Sequence, residues 1–313
     1  MKIFLTGATG FLGHHLLPKL VAAGHDCLAL TRYKPGCRDL QVLPRVTVRQ
    51  ADAFDDEALR ASMQGADAVI NMVGILNEKG RKGRGFHHVH VELVEKLIAA
   101  ARDTGVRRFV QVSALGAGEG RSHYQISKGE AEQRIQAAED LDWTIFRPSV
   151  VFGAGDSFFN RFATLLRLAP LLPLACPDAR LQPVWADDVA AAIAQVLDDD
   201  ATYGRIYPLV GPKEYTLREL VRFTATTAGL RRGIVGLPDW LARLQAAVMD
   251  FVPGKPFSTD NYRSLQTPNT SEENGLVELG IRPRSVESVV PTYLCARSPR
   301  QTRLDACRRH FVG

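Results

Sequence analysis

Short continuous apolar runs alternate, along the first half of the chain, with stretches in which apolar residues return every three or four positions. The runs fall at 2–5, 26–30, 45–49, 68–73, 106–112 and 143–147, and continuity rather than strict alternation is the pattern of strands covered on both faces of a parallel sheet. Helical spacing fills 11–23 and 86–102. This order predicts an α/β fold, a doubly wound parallel sheet of about seven strands with helices on both faces. Beyond residue 152 the alternation breaks. An apolar helix ending in prolines is expected at 158–174, then a return to the sheet at 181–185, then a helix over 187–197 capped by Asp187 and Asp188. The main domain is read as 1–152, completed by 181–210. A smaller α-rich lobe takes 153–180 and 211–294, a basic tail takes 295–313, and no internal repeat or low-complexity segment appears.

The first apolar run leads straight into Thr6, Gly7, Ala8, Thr9, Gly10, Phe11, Leu12 and Gly13, a GxxGxxG turn between strand and helix. Gly7 suits a positive φ, Gly10 lets backbone N–H groups approach a pyrophosphate, and Gly13 lets the helix pack on the sheet. Thr9, Phe11 and Leu12 share this turn, and the helix dipole faces the phosphates. The sheet is therefore expected to be Rossmann-type and to hold a dinucleotide. The second run ends on Thr31 and Arg32. An acidic residue near this place suits the ribose 2′-OH of NAD, whereas Arg accommodates the 2′-phosphate of NADP, so NADP(H) is the preferred cofactor and NAD(H) stays admissible.

Further segments follow in register: Tyr124 and Lys128 in a YxxxK pattern, Pro148, Ser149, Val150 and Val151 after strand six, the stretch Gln182 to Ala190, and Lys255-Pro256 leading into Asp260-Asn261. Together with the glycine turn they resemble the extended and atypical short-chain dehydrogenase/reductase (SDR) superfamily, the NAD-dependent epimerase/dehydratase type. The resemblance is greatest to atypical members related to the nucleotide-binding accessory subunit of respiratory complex I, and it covers about residues 1–294. It implies that Asp52, with Ala53 beside it, meets the adenine amino group. It also implies that Val73, Gly74 and Ile75 lie against the ribose, and that residues 148–151 run beside the nicotinamide carboxamide. His90 stands where extended members keep an Asn, which suggests a polar contact to the active-site backbone. Tyr124 and Lys128 are four apart on one helix face, where the ammonium is expected to lower the phenol pKa from about 10 and to hold the ribose. Ser113 follows strand five, but Leu115 occupies the place where catalytic members put Ser or Thr. Ser113 is thus expected to contact cofactor without polarising a carbonyl.

Composition narrows the remaining possibilities. The formal charge is +5, yet 297–313 alone carries five Arg against one Asp, and no nucleic-acid-binding pattern accompanies it. Five cysteines, odd in number and without CxxC spacing, point away from disulfides and zinc and toward a reducing cytoplasm. No signal-peptide pattern and no transmembrane run is present. His87, His88 and His90 lack the carboxylate or Cys that would complete a metal site, so no metal is expected. The loop 77–85 holds Lys79, Arg81, Lys82 and Arg84, and is read as a solvated loop or as a collector of anionic substrate or membrane. In 237–252, Trp240, Leu241, Leu244, Val248 and Phe251 make one apolar helical face, expected to pack against the cofactor domain or else to face lipid or quinone.

Two functions emerge. One is a nucleotide-holding binding or assembly protein with weak redox activity, placed by the resemblance near quinones or a respiratory complex and admitting a peripheral contact with the inner face of the membrane. The other is an active NADP-dependent oxidoreductase, epimerase or dehydratase using Tyr124 and Lys128.

Overall fold

Residues 1–78, 80, 82–252 and 255–294 are described by the computed structural model. Lys79, Arg81 and the basic tail, all part of the expectations above, lie outside the described residues, as do Pro253 and Gly254. The central sheet comprises β1 (Lys2–Thr6), β2 (Asp26–Thr31), β3 (Val46–Gln50), β4 (Ala68–Asn71), β5 (Arg108–Val112), β6 (Asp142–Pro148) and β7 (Arg205–Leu209). Its order is β7-β6-β5-β4-β1-β2-β3, and every pairing is parallel. The expected doubly wound sheet of seven strands is what forms. The order reverses at β1, between β4 and β2, and it is there that an open α/β sheet offers its ligand crevice.

Adjacent residues of each central strand feed opposite cores. Leu5, Ile70, Val110 and Phe146 pack with Leu16, Leu17 and Leu20 of α1 (Phe11–Ala22), while Phe4, Val69, Phe109 and Ile145 pack with Leu59, Val94, Leu97 and Ile135 on the other face. Those last side chains belong to α2 (Asp56–Met63), α3 (Leu93–Thr104) and α4 (His123–Gln136). A third cluster, around Phe152, Phe159, Leu220, Val221 and Val290, lies in the later part of the chain. Leu276 joins the first core instead, its short helix Gly275–Glu278 resting on β7.

Five expectations are corrected. The chain does not return to the central sheet at 181–185: Pro183, which has no N–H, splits that run, Arg180–Leu181 pairs with Tyr215–Thr216 and Val184–Trp185 with Val151–Phe152, and the seventh strand is β7 instead. β4 stops at Asn71 rather than 73, because the Asn71 carboxamide accepts Thr6 Oγ1–H at 2.7 Å and the Val73 N–H at 3.1 Å, turning the chain out of the ladder. The helix expected over 158–174 is α5 (Phe159–Leu168) followed by a strand, Leu171–Leu174, paired with Gly233–Gly236. Pro170 forces Ala169 into extended backbone (ψ 139°), which ends the helix. Asp187 and Asp188 sit inside the first turn of α6 (Ala186–Gln195) and do not cap it: Asp187 bonds His15 Nδ1 at 2.8 Å and Asp188 accepts the Arg284 N–H. Finally, after α7 (Leu217–Thr227), α8 (Asp239–Met249) buries Ala242 and Ala246 and turns Trp240, Leu244 and Val248 outward. The small residues alone allow α8 to approach its neighbours closely, so the packing face is the alanine side and not the bulky one.

Candidate cofactor and active site

The glycine turn is built by sterics. Gly7 has φ +75°, and a Cβ there would lie 2.7 Å from the Met72 carbonyl carbon. At Gly13 a Cβ would fall 2.0 Å from the Ala8 oxygen, so α1 rests on the turn backbone to backbone. Gly10 is different: it is exposed, and its nearest obstacle would be the Gly7 oxygen at 3.1 Å. As N-cap of α1 it supplies no side-chain hydrogen bond, whereas α2 is capped by Asp55 and α4 by Ser122. The first N–H groups of α1, from Phe11, Leu12 and Gly13, thus have no side chain to satisfy them, and an open helix N-terminus of this kind is suited to a phosphate.

Along the adenine side, Arg32 is exposed just past β2 and forms no hydrogen bond or ion pair with any described residue. Asp52 and Ala53 follow β3, with Asp52 exposed and its Oδ1 accepting the Phe54 N–H at 3.1 Å. Asp52 therefore works as a turn residue, and its second oxygen remains directed to solvent beside the expected adenine position.

The reactive end gathers on β4, β5 and α4. His90 was expected to touch the active-site backbone, and it accepts the Ile75 N–H on Nε2 at 3.2 Å. Its Nδ1 lies 2.8 Å from Ser127 Oγ, which donates to the Tyr124 carbonyl. This links the 73–75 strip to the helix bearing Tyr124 and Lys128. A π-helical turn, His88–Glu92, carries His90 inward, leaving it 2% exposed while His87 and His88 stay at the surface with Glu92. Burial, with the Lys128 ammonium nearby, pushes the His90 pKa down from 6.5 to about 2, so the imidazole is neutral. Among the described residues no group of three ligands could hold a metal.

Lys128 is buried, its Nζ donating to the Val112 carbonyl at 3.2 Å and lying beside Gly74. Burial lowers its pKa to about 8, opposed by Glu132 one turn on, which is itself held by Arg147 at 2.6 Å. Tyr124 is half-buried, edge-on to His90 and Phe86. Burial pushes its phenol up to about 12. The expected lowering by Lys128 is corrected here: desolvation of the phenol outweighs any help from an ammonium committed to the Val112 carbonyl. Ser113 Oγ is buried with no hydrogen-bond partner, an orphan polar atom at the end of β5 beside the Lys128 anchor, as a site awaiting a ligand hydroxyl or amide would leave it.

Two residues that sequence reasoning left without a role lock this end together. Asp260 accepts the His123 and Tyr124 N–H groups at 2.7 and 3.1 Å, adding to the Ser122 cap so that the first turn of α4 is fully satisfied. Asn269 takes Ser149 Oγ–H and, at 3.2 Å, the Val150 N–H, and donates to the Leu115 carbonyl. Pro148 and Val151 flank this clamp, in β6 and in a short strand paired with Val184–Trp185. Asp260 stood within a segment of family resemblance; Asn269 had no signal, because a lone Asn more than a hundred residues from its partners looks like any loop residue. The loop after Ile75 is pinned by buried Glu78, which accepts the Gly83 and Gly85 N–H groups, and by Asn261 on the Leu76 carbonyl.

A family model described as NAD(P)H-binding matches residues 7–161. The chain is 31% identical over 287 residues to NADH dehydrogenase (ubiquinone) 1 alpha subcomplex subunit 9, mitochondrial, of Arabidopsis thaliana, spanning 86% of this chain and 71% of that protein. It is 28% identical over 301 residues to the Mus musculus protein of the same name, spanning 90% and 76%. A ceramide reductase of Caulobacter vibrioides is 31% identical over 249 residues, spanning 76% and 74%. Among solved structures, dTDP-glucose 4,6-dehydratase from Streptomyces venezuelae superposes with a TM-score of 0.75 at 22% identity, covering 94% of this chain and 96% of that one, a likeness of fold.

Proposed function

Since the chain belongs to the NAD(P)-binding family that includes complex I alpha subcomplex subunit 9, we propose that it holds NADP(H) as a binding or assembly protein with weak redox activity. The observation that carries the reading is the uncapped N-terminus of α1 above the Gly7–Gly10 turn, with Arg32 unengaged beyond β2. Gly7, Thr9, Gly10, Phe11, Leu12 and Gly13 would surround the pyrophosphate, Arg32 the 2′-phosphate, and Asp52 with Ala53 the adenine. Val73, Gly74, Ile75 and Lys128 would border the ribose, positioned by His90, and residues 148–151 would border the nicotinamide. Residues 1–152, completed by 181–210, are the cofactor domain of this reading, with 153–180 and 211–294 closing over it. The setting is cytoplasmic, peripheral at the inner face of the membrane.

The bound dinucleotide would supply a hydride. The chain's own groups are poorly tuned to use it: Leu115 offers no hydroxyl to a substrate carbonyl, and a phenol at about 12 is a reluctant proton source. Losing one preorganised donor costs about 10² to 10³ in rate, which leaves slow turnover within reach. A quinone-like molecule or a respiratory complex is the proposed partner. An open groove of about 390 Å³, lined by Leu237, Ala242 and Leu265 together with Asp178, Arg180 and Asp239, adjoins the segment leading to Asn269.

The active-reductase reading keeps one specific support, the orphaned Ser113 Oγ next to the Val112 carbonyl that holds Lys128. Titration of wild type and Arg32→Ala with NADPH and NADH tests the cofactor, with a preference for NADPH of roughly ten- to hundredfold expected in the wild type and absent in the variant. Equal wild-type affinities would remove the NADP assignment. A carbonyl and quinone panel with NADPH, run on wild type and Tyr124→Phe, tests the chemistry. Similar slow rates are expected in both, and turnover confined to the wild type would establish the reductase instead.

A further inference from the structure

Among the described residues nothing covers the bulky side of α8: Trp240 is 65% exposed, Leu244 53% and Val248 55%. The strand Gly233–Gly236 leads into α8 and pairs with Leu171–Leu174 so that Val235 stands beside Pro173, and Leu168, Leu171 and Val235 in this part of the lobe are exposed as well. Large exposed apolar areas of this kind mark docking sites.

Cations stand at both ends of it. At the strand end, Arg167 and Arg231 are exposed, and Arg232 is tethered to the Leu166 carbonyl at 2.8 Å. At the helix end, Lys255 donates to the Gly80 carbonyl at 2.7 Å, which brings the loop bearing exposed Lys82 and Arg84 alongside, and Arg161 donates to the Pro256 carbonyl. The acidic residues of the same region are engaged elsewhere: Asp239 with Arg243 and Tyr262, Asp250 with Thr259, Asp260 with the start of α4. Trp and Leu in the middle with Arg and Lys at the margins is the arrangement by which an interfacial helix enters the headgroup region while its cations meet anionic phosphates.

We propose that α8 and the Leu171–Leu174/Gly233–Gly236 strand pair form a docking face for an anionic phospholipid surface. The inference deepens the peripheral-membrane part of the proposed function and does not depend on the cofactor. Opposite the docking side, Asp239 and Ala242 of α8 line the 390 Å³ groove with Cys176 and Gln266, so a docked helix places that groove just above the bilayer.

The test is flotation with phosphatidylcholine vesicles, with and without phosphatidylglycerol, at low and high salt, on wild type, Trp240→Ser/Leu244→Ser/Val248→Ser, and Arg167→Gln/Arg231→Gln. Wild type is expected to float with the anionic vesicles at low salt and to be released by high salt. The triple variant should lose roughly a hundredfold in partition and the double variant roughly tenfold, with melting temperature and NADPH affinity unchanged in both because all five side chains are exposed. Wild type that stays with the soluble fraction on anionic vesicles, a triple variant that floats as well as wild type, or sedimentation showing that the face pairs two copies of the chain without floating would each overturn the proposal. Lost NADPH binding with intact flotation would instead sink the cofactor reading and leave this one standing.

Discussion

His90 shows how much a single residue can bind together. Its neutral ring accepts from Ile75 and connects through Ser127 to the backbone of Tyr124, so the 73–75 strip is tied to the helix carrying Tyr124 and Lys128. The sign of its pH effect follows from its shift. The folded-state pKa, about 2, lies below the ordinary 6.5, so between these values the unfolded chain takes up a proton that the folded chain refuses. Stability is therefore complete above 6.5 and drains away as the pH falls. Near pH 5 the loss from this residue is about 2 kcal/mol. Urea midpoints at that pH and at neutral pH should show it in wild type and not in His90→Asn, which keeps a polar side chain without a titrating ring. Parallel pH slopes in the two proteins would contradict the account. Position 90 was readable as a contact to the active-site backbone, but the route through Ser127 was not, since it depends on the π-helical turn that rotates the ring inward.

At the scale of an element, the three glycines of the first turn do separate work. Gly13 exists for packing: Gly13→Ala drives a methyl against the Ala8 carbonyl and should cost about 1–3 kcal/mol or more, read as a fall in melting temperature. Gly10, exposed at the N-cap of α1, is the glycine proposed to face the ligand. Gly10→Val puts its Cβ 3.1 Å from the Gly7 oxygen, one tight contact on an otherwise open side, so it should cost about 1–2 kcal/mol in stability while losing dinucleotide affinity far beyond that, because the isopropyl group stands over the open N–H groups of α1. A Gly10→Val protein that binds NADPH normally would move the site elsewhere. The turn was legible from spacing because most of its requirements are local, a positive φ at Gly7 and the approach of Gly13 to Ala8 within eight residues, although the approach of Gly7 to Met72 is not. α8 was not: a helical period shows that apolar residues share a face, but not whether that face or the alanine face opposite meets the neighbours.

On the scale of the whole molecule, Asp260 ties the later part of the chain to the N-terminus of α4 across 136 residues. Asp260→Ala exposes two helix N–H groups and should cost about 1–2 kcal/mol. Because Tyr124 is one of the two, NADPH affinity should fall with it, and calorimetry alongside thermal melting will show whether both drop together. An unchanged melting temperature would mean that Ser122 alone caps the helix.

The succession of the first six strands along the chain, the glycine turn, the spacing of Tyr124 and Lys128 and the Arg after β2 were determined by the sequence itself, since each rests on periodicity or on sterics among near neighbours, whereas the order of the strands in the sheet was settled by pairing between distant segments. Only the tertiary structure decided that the Tyr124 phenol is raised and not lowered, that Asn269 clamps Leu115, Ser149 and Val150, and that the bulky side of α8 faces outward. Those outcomes depend on desolvation and on partners brought from more than a hundred residues away, and neither quantity is written in any local stretch of the chain.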